Sequence, residues 1–149
     1  MPGSIEKMKV LFLCTGNSCR SQMAEGWAKR LLPDDVETYS AGIKPHGLDP
    51  LALEAMKESG VDISGQRSKS VEEVRHIHFD LVVTVCSDAD ENCPVFPGKA
   101  KVMHAGFDDP PRLAKGAKTK EEALVHYRRV AGQIRDFITG LPRVLKGLR

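Results

Sequence analysis

Apolar residues fall along this chain in two rhythms. Lys9 to Cys14 (KVLFLC) is a nearly unbroken apolar run that stops at TGNS. Continuous rather than alternating hydrophobicity predicts a strand buried on both faces, hence a parallel sheet. From Arg20 to Leu32 the apolar residues return at helical spacing (Met23, Ala24, Trp27, Ala28, Leu31), and Pro33 ends that helix. Val36 to Ala41 reads as a second strand. Asp49 and Pro50 have the character of an N-cap and first helical position, with Gly60 closing the helix. Phe79 to Cys86 (FDLVVTVC) is the strongest strand pattern in the chain, and Ala100 to His104 (AKVMH) a weaker fourth strand. Asp108 to Thr119, rich in Pro, Gly and Lys, reads as an exposed loop. Thr119 with Glu122 forms a capping-box pattern. Behind it Leu124, Tyr127, Ala131, Ile134, Ile138 and Leu141 keep one helical face apolar, and Gly140 and Pro142 mark its expected end.

This alternation predicts a three-layer α/β fold around a four-stranded parallel sheet with right-handed crossovers. In the strand order 2-1-3-4 the first and third strands are neighbours. Cys14 and Cys86 then lie at adjacent carboxyl ends and face one pocket, on the side where such sheets bind ligands.

At 149 residues the chain is expected to form one domain, 1–149. Its 22 Lys and Arg nearly match its 20 Asp and Glu, a balance that gives no argument for nucleic acid or an anionic membrane as a general partner, and neither is expected. Any anion site must come from local placement. No apolar run approaches the ~20 residues that cross a bilayer. The start, MPGSIEKMKVLFLC, is followed by no small-residue cleavage site and reads as a first core strand rather than a signal peptide. The expectation is a cytoplasmic protein whose thiols stay reduced. The four cysteines, Cys14, Cys19, Cys86 and Cys93, are then metal ligands, catalytic groups or buried apolar residues rather than bridges.

The segment Cys14-Thr15-Gly16-Asn17-Ser18-Cys19-Arg20-Ser21 sets a Cys and an Arg at the two ends of a strand-to-helix turn. Such a turn points several backbone N–H groups inward, and the helix dipole adds positive potential. Gly16 lets the backbone fold tightly, and Asn17 tolerates a left-handed conformation. Arg20 can clamp two oxygens of a tetrahedral anion with its fork. The same potential favours the thiolate of Cys14, to whose sulfur Ser21 can donate a hydrogen bond. Cys14 thus reads as a nucleophile in an oxyanion loop, rather than as a plain apolar strand end.

The loop resembles the signature of the low-molecular-weight protein tyrosine phosphatases: Cys, five residues, Arg, then Ser or Thr. More closely, CTGNSCRSQMAEGW, VTVCSDADENCPVFPG and HAGFDDP resemble the thioredoxin-coupled arsenate reductases built on that fold, and the likeness runs from Val10 to the last helix. The resemblance implies arsenate as substrate, phosphate as its analogue, thioredoxin as electron donor, and a relay from Cys14 to Cys86 to Cys93. No flavin or nicotinamide fingerprint is present, so no cofactor is expected and thiols must supply the two electrons. Cys86 taken alone fits a buried core residue equally well. Cys93, before Pro94 in a polar turn, fits a core poorly. Ser87 or Asp88 could cap a short helix in the linker SDADEN. Zinc motifs show closer Cys or His pairs than Cys86 and Cys93, so no metal is expected. Cys19 reads as a small buried residue at the helix start.

The resemblance also carries the general acid to Asp109, directly before Pro110, and leaves Asp108 as a turn residue. Without it both are solvated turn formers. Pro111 stands where the phosphatases place an aromatic residue, which argues against an aryl phosphate. Some related reductases bind potassium behind the loop. Asn17, Glu25 and Ser40 match three of those positions, but Lys69 occupies the fourth, so no potassium requirement is expected. His104 receives no catalytic task, and His46, His76, His78 and His126 read as surface or helix-face residues. The chain is expected to act as a monomer. A phosphatase for phosphate monoesters, and an anion-binding or redox-sensing module without turnover, remain the alternatives.

Overall fold

In a computed structural model, which describes residues 7–148, strand β1 (Met8–Cys14) runs through the middle of the molecule. It pairs in parallel with β2 (Val36–Gly42) on one side and with β3 (Leu81–Thr84) on the other, and β3 pairs with β4 (Lys101–His104). The sheet is parallel throughout and its order is β2-β1-β3-β4, the expected order that makes the strands ending near Cys14 and Cys86 neighbours. The first six residues and the last of the expected domain 1–149 lie outside the described part.

The unbroken apolar run of β1 is explained by burial on both faces: Val10, Leu11, Phe12 and Leu13 are fully enclosed, as are Leu81, Val82 and Val83 of β3. Each such side chain contributes about 1.5–3 kcal/mol by leaving water. Helix α1 (Arg20–Leu31) lies against β1 and β2, and α2 (Pro50–Glu58) packs beside α1. Helix α3 (Ser87–Glu91) sits on β1 and β3, α4 (Pro110–Leu113) follows β4, and α5 (Lys120–Lys146) packs on α1, α2 and α4.

Several boundaries differ from the sequence pattern. The third strand is shorter than Phe79–Cys86, because the Asp80 carboxylate takes the Lys9 N–H at 2.8 Å at one end and the chain turns into α3 at the other. The fourth begins at Lys101 rather than Ala100 and forms an exposed sheet edge. The stretch after Asp108 is not simply a loop: Pro110 and Pro111 open α4, where their missing N–H groups cost nothing. The last helix does not stop near Gly140 and Pro142 but runs through Pro142 to Lys146. One backbone hydrogen bond is lost there, yet Leu141 and Leu145 on either side stay buried, and their packing outweighs it. The Thr119 cap holds: its hydroxyl accepts the Glu122 N–H at 3.1 Å, while Glu122 reaches back to the Lys118 N–H at 2.7 Å.

Candidate active site

The Cys14 loop is shaped by what its carbonyls do. Those of Cys14, Thr15, Gly16 and Ser18 accept the N–H groups of Ile43, Lys44, His46 and Asp49, at 3.2, 2.8, 2.8 and 3.0 Å. In a trans peptide the N–H of the next residue points opposite to the carbonyl. Turning the carbonyls onto residues 43–49 therefore turns the following amides the other way, towards a shared centre. Close approach of β2 makes this possible: a Cβ at Gly42 would lie 2.8 Å from both Asn17 N and Thr15 O. Asn17 supplies the tight bend with φ 45°.

Beyond the loop is a cavity of about 350 Å³, lined by Cys14, Thr15, Gly16, Ser18, Cys19, Arg20, His46, Asp49, Asp109 and Pro111. Arg20 is aimed by donating Nη1 to the Phe107 carbonyl at 2.9 Å, and its Nη2 lies 3.8 Å from Asp109 Oδ1. Asp109 thus faces the Arg20 guanidinium, whereas Asp108 pairs with Arg129 of α5 at 3.0 Å. Among the residues expected to bind the oxyanion, Asn17 and Ser21 do not line the cavity; they stand behind it. Ser21 Oγ is 2.9 Å from Cys14 Sγ, and Asn17 Nδ2 donates to Ser21 Oγ at 2.8 Å and to Ser40 Oγ at 3.0 Å.

Two cavity residues were not singled out by the sequence. His46 lies over Gly16, so near that a Cβ there would be 2.3 Å from its ring. Asp49 was legible as the α2 cap, and it accepts the Leu51 N–H at 2.9 Å, but its other oxygen takes the Tyr127 hydroxyl at 2.7 Å and its side chain borders the anion site. Burial, then the Asp49 hydrogen bond, pushes the Tyr127 hydroxyl well above its ordinary range, so it remains a donor. Burial, with the charges of Asp49 and Cys14, pushes the Cys19 thiol well up, which keeps Cys19 protonated beside Cys14.

Cys86 does not line the cavity. Its Sγ lies 3.2 Å from Thr15 Oγ1, on the loop residue next to Cys14. Cys86 also occupies the cap position of α3, where its sulfur accepts the Ala89 N–H at 3.4 Å. That role was expected of Ser87 or Asp88; Ser87 instead starts the helix, and the Asp88 side chain lies outside the described residues. Cys93 is half-buried past the end of α3, and its thiol donates to the Pro94 carbonyl at 3.6 Å. Burial, then the Asp90 charge, raises the Cys93 thiol above its usual value. Asp90 is tied down by Thr84, whose hydroxyl also meets His104 Nδ1, at 3.0 and 2.9 Å.

Behind the loop, the oxygens that would hold a potassium ion are already engaged. Asn17 Oδ1 accepts the Lys69 N–H at 2.8 Å, and the Ser40 carbonyl accepts Lys69 Nζ at 2.9 Å. Glu25 accepts from the Ser40 hydroxyl with one oxygen and from Lys29 with the other. The residues do not fit a potassium ion. Among the described residues no cluster of three or more His, Cys, Asp or Glu could hold a metal, and no helix is long and apolar enough to cross a membrane.

Residues 9–141 match the low molecular weight phosphotyrosine protein phosphatase family. The chain is 52% identical over 130 residues to an arsenate reductase of Bacillus subtilis, covering 87% of this chain and 91% of that protein. It superposes on a solved arsenate reductase in a phosphate-binding state with a TM-score of 0.72 and 30% identity, over 95% of this chain and 99% of that one. A thioredoxin-dependent arsenate reductase of Corynebacterium glutamicum matches with a TM-score of 0.66 and 25% identity, over 99% of this chain and 65% of that one. With the likeness spanning both the oxyanion loop and the Cys86–Cys93 segment, the chain belongs to the low molecular weight phosphotyrosine protein phosphatase family and, within it, to the arsenate reductase enzymes.

Proposed function

We propose that this single domain reduces arsenate to arsenite through Cys14, Cys86 and Cys93, with thioredoxin renewing the thiols. The observation that carries the reading is the contact of Cys86 Sγ with Thr15 Oγ1, 3.2 Å away and one residue from the proposed nucleophile. A phosphatase needs no second thiol there.

Arsenate enters the cavity and is held by the loop amides and Arg20. The Cys14 thiolate attacks arsenic; an As–S bond forms and an oxygen leaves as water, with Asp109 supplying the proton. The Cys86 thiolate then attacks Cys14 Sγ. An S–S bond forms, the As–S bond breaks, and its electron pair stays on arsenic, which departs as arsenite. Cys93 next attacks Cys86 Sγ, forming a Cys86–Cys93 disulfide and returning Cys14 as a thiolate. The thioredoxin dithiol reduces that disulfide, so each arsenate consumes two electrons. A reducing compartment, the cytoplasm, suits four free thiols.

The last exchange requires movement. Cys86 Sγ caps the start of α3 and Cys93 lies past its end, bonded to the Pro94 carbonyl, so joining the two sulfurs requires this short helix to open. Pro111 on the cavity wall offers no flat aromatic face for an aryl ester, which disfavours the phosphatase reading. The same arrangement is compatible with a monomer, since every group in the relay comes from one chain.

The decisive experiment follows turnover with arsenate, thioredoxin and its reductase. Cys86→Ser and Cys93→Ser should each stop multiple turnover while phosphate still protects Cys14 from alkylation. If both variants reduce arsenate at the wild-type rate, the relay is wrong.

A further inference from the structure

The hydrogen bonds behind the Cys14 loop end on two lysines to which the reaction gives no task. Lys29 pairs with Glu25 from within α1. Lys69 arrives from the segment between α2 and β3 and is half-buried. Its Nζ donates to the carbonyls of Ser40 on β2 and of Arg67, both at 2.9 Å, and its backbone N–H donates to Asn17 Oδ1 at 2.8 Å.

The consequence is directional. With Oδ1 committed to the Lys69 N–H, the Asn17 side chain presents its Nδ2 to Ser21 Oγ and Ser40 Oγ. Each hydroxyl has one hydrogen to give. Ser40 gives its hydrogen to the buried Glu25 carboxylate. Ser21, already accepting from Asn17, gives its own to Cys14 Sγ, and a donated hydrogen bond favours the sulfur anion. Were the Asn17 amide free to turn over, its oxygen would compete for the Ser21 hydrogen.

We propose that Lys69 is a positioning residue for the nucleophile: its ammonium pins the 67–69 backbone to β2, locks the Asn17 amide, and keeps Ser21 donating to Cys14 without any monovalent metal ion. The positive charge facing Glu25 is built into the chain. This rests on Cys14 being the nucleophile.

The test uses the full chain and its Lys69→Met and Lys69→Arg variants, each in sodium, potassium and choline chloride at equal ionic strength. Two readouts are taken: the rate of Cys14 alkylation by iodoacetamide at neutral pH, followed by mass spectrometry of the Cys14 peptide, and kcat and KM for arsenate. In the wild type both should be the same in the three salts. Lys69→Met, with an unchanged circular dichroism spectrum, should alkylate Cys14 about tenfold more slowly and lose a similar factor in kcat, with KM little changed, the size expected when a hydrogen bond to a charged group is weakened. Lys69→Arg should recover most of the loss. A severalfold acceleration of the wild type by potassium over choline overturns the proposal, as does a folded Lys69→Met that matches the wild type. Should Lys69→Met fail to fold, the wild-type salt comparison and Lys69→Arg decide. Turnover retained by Cys14→Ser would instead sink the function proposed above.

Discussion

The loop from Cys14 to Ser21 and the segment from Cys86 to Cys93 leave the carboxyl ends of neighbouring strands, and both carry thiols, yet they are built in opposite ways. Four loop carbonyls are held by residues 43–49, and Asn17 and Ser21 behind them are fully buried. Between Cys86 and Cys93 only Ala89 is fully buried among the described side chains, and α3 has five residues. A helix so short has little stability of its own. One segment holds a geometry; the other can give one up. A group that stabilises a transition state gains from being fixed beforehand, whereas a thiol that must carry oxidation away from the cavity gains from a segment that opens at low cost.

The sharpest way to break this comparison is at the fixed end. Cys14→Ser should lower turnover by at least about a thousandfold, because the proposed reaction forms its As–S bond at that sulfur; a steady-state assay with thioredoxin decides it. Next in size is Asp109→Asn, expected to lower kcat by about a hundredfold with KM nearly unchanged, as for loss of a general acid. A fall confined to KM would assign Asp109 to binding alone.

The α3 end is probed with smaller effects. Thr84→Val removes the hydroxyl that ties Asp90 to β3. Amide hydrogen exchange in α3 should quicken about fivefold, the worth of one modest hydrogen bond, while the Cys14 loop stays as it was. Equal acceleration in both segments would show that they open together. The smallest effect is in pH dependence. Burial raises the thiols of Cys19 and Cys93, so the native chain holds these protons more tightly than the unfolded one. Their contribution to stability is complete below the ordinary thiol value of about 8.5 and is lost as pH climbs through the raised native values. Thermal unfolding temperature should therefore fall at alkaline pH, and Cys19→Ala should flatten that fall. A pH profile unaltered by Cys19→Ala contradicts it.

Legibility along the chain tracks the distance over which each feature is decided. The apolar run into Cys14, the loop ending at Arg20, and the spacing of α1 all lie within one stretch, and the pattern predicted them. The Asp49 and Thr119 caps were legible for the same reason: each cap satisfies amides two or three residues away. Pro142 misled because a local signal for termination met a buried face that continued past it. The capping sulfur of Cys86 is not legible locally, because thiols seldom cap helices and Ser87 stands beside it.

By itself the chain of residues determined the parallel sheet, the strand–turn–helix with Cys14 and Arg20 at its two ends, and the presence of two further thiols, because periodicity and turn chemistry act between near neighbours. Only the tertiary structure decided what surrounds that turn. Packing brings the Phe107 carbonyl to Arg20 across 87 positions and Lys69 to Asn17 across 52, and it sets His46 over Gly16. Such contacts leave no local mark, since burying the sheet and its helices, rather than any property of adjacent residues, selects which distant groups meet.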